Sequence, residues 1–191
     1  MRLLVKGNNT RFSNSTVTKF FDQFQSVARI GNIIDNQDEN HWVKGFAGSG
    51  KTIVLTHVLK RLATARPPVK VCFATFTHAL KDLIESGLTK TELARIDIST
   101  FNGLGKLRND YDLLVADEMQ DIPSRVLPTL AKKSDVLIIA ADLDQSIYRS
   151  ACSVSELNAA IKPAKEHQLR EIHRINENVF EIATSVYSDE K

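Results

Sequence analysis

Short apolar runs alternate with stretches of helical spacing along most of the chain. His41–Phe46 (HWVKGF) predicts a strand, followed by a glycine-rich turn and a helix reaching about Ala65. Pro67 and Pro68 separate that helix from a second strand, VKVCFATF at 69–76. Leu80, Leu83 and Ile84 recur at helical spacing and predict a helix from about His78 to Glu85. IDIST at 96–100, YDLLVADE at 111–118 and SDVLIIAAD at 134–142 predict three further strands. Pro123 fits the first turn of a helix reaching about Lys132, between the last two. Near-continuous apolar strands alternating with helices predict a mostly parallel sheet with helices on both faces. Toward the C-terminus, NENVFEIATSVY puts Val179, Ile182, Ala183 and Val186 on one helical face. One α/β domain over residues 1–191 is expected, with residues 1–20 the part that the pattern defines least.

Composition narrows this little. Of 191 residues 42% are hydrophobic and 25% charged, ordinary values for a globular domain of this length. A formal net charge of +2 neither demands nor excludes nucleic acid. Cys72 and Cys152 are far apart and lack metal-ligand spacing, so they read as reduced core thiols of a cytoplasmic protein. The longest apolar run, VLIIAA, is too short to span a bilayer, and no membrane role is expected.

The candidate chemistry begins at GFAGSGKT, residues 45–52. Between a strand and a helix, this spacing is that of a phosphate-binding loop. Its glycines let backbone N–H groups curl around an anion, and the following helix start adds a favourable dipole. Gly45, Ala47, Gly48, Ser49, Gly50, Lys51, Thr52 and Ile53 are the expected nucleotide contacts. Lys51 would reach the terminal phosphates and Thr52 would offer its hydroxyl to Mg²⁺. DLLVADEMQD then delivers Asp117 and Glu118 at the C-terminal end of a strand, where open α/β sheets place their ligands. Asp117 fits a Mg²⁺ role and Glu118 the polarising of an attacking water, while Asp121 looks like the N-cap of the next helix. Gln145, just beyond the fifth strand, and Arg174 are each ambiguous alone: either a phosphate contact or a solvated side chain.

Taken in order, GFAGSGKT, FATFTHALKDLI, ISTFNGL, VADEMQD, AADLDQSIYR and LREIHRINENVFEIA resemble the motifs of superfamily-one helicases over roughly residues 20 to 187. The pair Gln120-Asp121 is similar to the UvrD/Rep branch, whereas the RecD-like branch typically has Ser-Met there. The resemblance implies the N-terminal RecA-like lobe of an ATP-driven motor, with ATP and Mg²⁺ as cofactors and single-stranded DNA, or alternatively RNA, as partner. A second RecA-like lobe, in the same or another chain, would complete it. By the same resemblance Gln25 in FFDQFQSVA reads adenine, its amide offering both a donor and an acceptor; the alternative is an exposed helix residue. Thr75, Phe76 and Thr77, and then Ser99, Thr100 and Phe101, match the motifs that touch a single strand. Phe76 and Phe101 also read as core residues at strand ends. Gln145 matches the coupling glutamine, and Arg174 the arginine that approaches the γ-phosphate.

The sequence departs from that pattern at three positions. His173 stands where a tyrosine usually stacks on adenine, Ala141 replaces a glycine, and Asn102 replaces a histidine. The connection between Thr100 and Asp117 is short where full-size members of the branch commonly carry an inserted subdomain. A motor lobe that hydrolyses ATP is the primary expectation. A non-catalytic, ATP-dependent interaction module is the alternative, and a small-molecule kinase a weaker third.

Overall fold

A computed structural model describes residues 26–142, 151–161 and 163–169. A helix, α1 (Ser26–Asp35), precedes the first strand, β1 (Asn40–Gly45), and the glycine-rich turn leads into α2 (Lys51–Ala63). Strand β2 (Val71–Thr75), helices α3 (His78–Gly87) and α4 (Lys90–Leu93), and β3 (Ile96–Thr100) follow. Then come β4 (Leu113–Ala116), α5 (Leu127–Lys133), β5 (Leu137–Ala141), α6 (Val154–Ile161) and β6 (Ala164–Leu169). The six strands form one sheet in the order β3-β2-β4-β5-β1-β6, and every pairing is parallel. This is the RecA-like α/β arrangement that the pattern predicts.

The alternation of side chains along the strands sends two apolar sets to opposite faces. On one face Val43, Val71, Phe73, Val115 and Ile138 pack with Val54, Leu55, Val58 and Leu62 of α2 and with Ile30 and Ile33 of α1. On the other, Trp42, Cys72, Leu114 and Ile139 pack with Leu127 and Leu130 of α5 and Leu157 and Ile161 of α6. With both faces covered, β2, β4 and β5 are buried at every position, which is why they read as unbroken apolar runs. Cys72 and Cys152 are buried free thiols, as expected.

Three elements differ from the pattern reading. The helix predicted from Pro123 to about Lys132 starts later, as α5 at Leu127, after a 3₁₀ turn at Ser124–Val126, and another 3₁₀ turn, Met119–Asp121, precedes Pro123. Pro123 is extended (ψ 143°) and Pro128 occupies the first turn of α5, where its missing N–H costs nothing; further inside a helix it would remove a hydrogen bond. Asp121 therefore caps no helix. The edge strand β6 was not legible, because AKEHQL buries only His167 and Leu169. Helix α6 is too short to show a period. The helical stretch around Val179, Ile182, Ala183 and Val186 lies outside the described residues, as do residues 1–20.

Candidate functional site

Because all strands run the same way, their C-terminal ends share one edge of the sheet. The ends of β4, β5 and β1 are consecutive there, and the candidate site spans them. The loop after β1 turns through Gly48 (φ 76°) and Gly50 (φ 91°), and the Ser49 N–H donates to the Phe46 carbonyl at 3.1 Å. Left-handed Gly50 stands at the N-cap of α2 with no side-chain cap, leaving the helix's first amides available to an anion. Gly45 is required for a different reason. A Cβ there would lie 2.5 Å from Ser49 Oγ and 2.9 to 3.0 Å from Leu169 of the neighbouring strand.

Lys51 is almost fully buried. Its Nζ donates to the carbonyls of Gly45 (2.7 Å) and Phe46 (3.1 Å) and lies 3.9 Å from Asp142 Oδ2. The ammonium is thus held by the loop's own oxygens, within reach of the loop's interior. Ser49 Oγ is buried and has no hydrogen-bond partner among the described residues. A buried hydroxyl left unpaired is costly, and a phosphate oxygen in the loop would satisfy it. Phe46 and Ile53 are exposed apolar residues on this loop and the first turn of α2.

Across the cradle, β4 ends at Ala116 and delivers Asp117, which is completely buried. Its Oδ2 accepts from the Thr52 hydroxyl at 2.6 Å, and its Oδ1 accepts from the Glu118 N–H at 2.9 Å. Burial pushes the Asp117 carboxyl up to about 6, opposed by the Thr52 hydrogen bond and reinforced by the Glu118 charge. Thr52 and Asp117 are therefore one hydroxyl–carboxylate pair joining the start of α2 to the end of β4. Among the described residues no cluster of three or more His, Cys, Asp or Glu side chains could cage a metal ion.

Glu118 adopts a left-handed backbone (φ 56°), unusual for a residue with a Cβ. This turn breaks the strand alternation and lets Asp117 and Glu118 diverge by less than a strand would impose. The Glu118 Oε2 accepts from Gln120 Nε2, and Gln120 Oε1 accepts from the Asp142 N–H at 3.1 Å.

The residues expected to touch a strand lie at the same edge but farther out, on β2 and β3. Thr75 and Thr100 are register partners. Thr75 Oγ1 is buried with no hydrogen-bond partner among the described residues, and Ser99 Oγ donates to the Thr100 carbonyl at 3.0 Å. Thr77 is exposed and caps α3 by accepting from the Leu80 N–H at 3.1 Å. Phe76 is half-buried against the core. Of the two readings open for Phe101, single-strand contact or core residue, its surroundings favour the core. The ring is 6% exposed and packed with Leu104 and Tyr111 under the 3₁₀ turn Phe101–Lys106, leaving no face for a base. Gln25, Gln145, His173 and Arg174 lie outside the described residues.

Two residues that the motif reading passed over belong to this site. Asp142 leaves β5 as Asp117 leaves β4, so a carboxylate just past a buried strand was the available signal. Gln120 stood in the sequence only as a marker of branch.

The fold and the loop define a P-loop nucleoside-triphosphatase-type α/β domain. A family model for an AAA domain matches residues 32–151, and the chain belongs to that family. No curated protein matches the sequence. Among solved structures, the Pif1 helicase from Bacteroides in complex with ADP-AlF3 and single-stranded DNA is 17% identical with a TM-score of 0.60, covering 86% of this chain and 46% of its own. Pif1 from Candida albicans is 16% identical with a TM-score of 0.59, covering 84% and 43%. The arterivirus nonstructural protein 10 helicase with DNA is 18% identical with a TM-score of 0.56, covering 83% and 42%. At such identities the likeness is one of fold, and the chain spans less than half the length of these helicases.

Proposed function

We propose that this chain is the ATP-binding motor lobe of a superfamily-one helicase or translocase, of the UvrD/Rep-like branch, that couples Mg²⁺–ATP hydrolysis to movement on single-stranded DNA. The observation that carries the reading is the convergence of the Lys51 loop, the Thr52–Asp117 pair and Glu118 across three adjacent strand ends. The fold shared with helicases solved with ADP-AlF3 and single-stranded DNA supports it, and Gln120-Asp121 supports the branch.

In this reading the amides after Gly50 and the Ser49 hydroxyl hold the β- and γ-phosphates, and Lys51 leaves its carbonyl partners to neutralise them. Thr52 and Asp117 would hold Mg²⁺, which supplies charge neutralisation on the transferring phosphoryl group. Glu118 takes the proton of the attacking water. Gln145 and Arg174 contact the γ-phosphate, and Gln25 and His173 the adenine, by the sequence resemblance alone. Thr75, Thr77, Ser99 and Thr100 offer hydroxyls to phosphates of a single strand, with Phe76 the remaining aromatic. A second RecA-like lobe supplies the other half of the cleft, and its closure and reopening move the grip along the strand.

The test is Mg²⁺-dependent binding of a fluorescent ATP analogue, with ATPase assayed with and without single-stranded DNA. Binding that Lys51→Ala abolishes, with only slow hydrolysis unresponsive to DNA, is expected of residues 1–191. Robust DNA-stimulated turnover by these residues alone would overturn the need for a second lobe. Failure to bind the analogue would overturn the nucleotide reading itself.

A further inference from the structure

We infer that Gln120 is a positioning residue whose carboxamide ties the Glu118 carboxylate to the exit of β5. The inference rests on Glu118 acting as proposed above, and it adds what aims that carboxylate. The two ends of the Gln120 amide are both used: Nε2 donates to Glu118 Oε2, and Oε1 accepts from the backbone N–H of Asp142. Gln120 is 4% exposed, so neither bond is exchanged cheaply for water. A carboxamide donates to a carboxylate through its nitrogen while its oxygen, on the other arm of the same group, accepts from a backbone N–H. Aspartate, glutamate, serine or leucine at this position each loses at least one of the two bonds or their reach.

The same short stretch is fastened again farther along. The Cys152 N–H donates to the Ile122 carbonyl at 2.7 Å, Cys152 Sγ lies 3.7 Å from the Met119 carbonyl, and Pro123 forms an isolated antiparallel bridge with Ala151. Residues 119–123 thus hold β5's exit at Asp142 and the chain's return at Ala151–Cys152. Through Gln120, a displacement at either anchor is transmitted to the Glu118 carboxylate. Through Asp142, whose carboxylate lies 3.9 Å from Lys51 Nζ, the anchor also borders the phosphate loop. The left-handed turn at Glu118 needs such an external hold, because its backbone is not in a favoured well.

The experiment uses the 191-residue chain and reads slow chemistry directly, by single-turnover hydrolysis of radiolabelled ATP with protein in excess. Gln120→Ala is expected to slow the step by roughly tenfold while affinity for a fluorescent ATP analogue stays within about twofold. Gln120→Glu keeps an oxygen for the Asp142 N–H but faces Glu118 with a second carboxylate. Its single-turnover rate should therefore fall at least as far as that of Gln120→Ala with analogue affinity again within about twofold, a split that a merely structural role would not produce. A Gln120→Ala chain that hydrolyses as fast as the parent overturns the inference. A second readout does not depend on hydrolysis: the ¹⁵N amide resonance of Asp142 should shift on Glu118→Ala, and that response should vanish in the Gln120→Ala background. An Asp142 amide indifferent to Glu118→Ala overturns the tie even in a chain without ATPase activity. Absence of Lys51-dependent hydrolysis with that amide response intact overturns the role of Glu118 instead.

Discussion

Burial sets the charge of Asp117 and with it the pH at which the site can work. In the unfolded chain this carboxyl has its ordinary value near 3.8; in the fold, burial moves it to about 6. Between those values the folded chain holds a proton that the unfolded chain releases. The group therefore favours the fold at pH below about 4 and loses that contribution as pH rises through 6. In the proposed site Mg²⁺ would have to displace the same proton. Affinity for a Mg²⁺-nucleotide analogue is accordingly expected to fall roughly fourfold from pH 7.5 to pH 5.5, as a group titrating near 6 requires. Asp117→Asn should bind more weakly and flatten the profile, and fluorescence titration at the two pH values checks both. The left-handed Gly50 yields a separate prediction. Nothing lies within 4 Å of an added Cβ, so Gly50→Ala is expected to cost about 1 to 3 kcal/mol from backbone conformation alone, read as a denaturation midpoint.

At the scale of elements, the pairing of β1 with β6 carries features that the sequence concealed. His41 and His167 meet across it, Nδ1 to Nε2 at 2.9 Å, and the other nitrogen of His41 bonds the Asn36 carbonyl at 2.8 Å. Burial holds the His41 imidazole below its usual 6.5, offset by that carbonyl bond and the charge of Glu39. A neutral His41 thus stabilises the pairing above pH 6.5, and the contribution is lost as pH falls below it. Amide exchange along β6, corrected for intrinsic rates, should accelerate from pH 7.5 to 5.5 more than exchange along β4. Gly45→Ala should damage the same pairing at any pH. Its Cβ meets the Leu169 backbone oxygen at 3.0 Å, and an overpacking cost of about 1 to 3 kcal/mol is expected from chemical denaturation. Strands β2, β4 and β5 were legible because burial on both faces leaves an unbroken apolar run, and the phosphate loop because glycine spacing is written directly in the chain. β6 was not, since an edge strand half in water alternates too weakly. The ring of Phe101 stayed open between contact and core because a motif gives the residue type but not the side to which a 3₁₀ turn rotates it. Gln120 and Asp142 were missed because their roles exist only between strands, 22 residues apart.

For the whole molecule, chain order and spatial order disagree in one consequential way. The strand that ends in the phosphate loop, β1, is flanked by β5 and β6, both of which come later in the sequence. On a ribosome, β1 would emerge without a neighbour. From Gly45 to Leu137 is 92 residues (137 − 45), roughly 5 to 20 seconds of synthesis at about 5–20 residues per second. During that interval β2, β3 and β4 can pair among themselves, while β1 waits as an apolar strand without an edge to join. A chain stopped after Lys133, before β5, is therefore expected to bind no nucleotide analogue and to be cleaved readily by protease near Trp42, although it contains the entire GFAGSGKT loop. The phosphate loop is made well before the strands that flank it, so nascent chains are expected to depend on chaperones until β5 and β6 emerge.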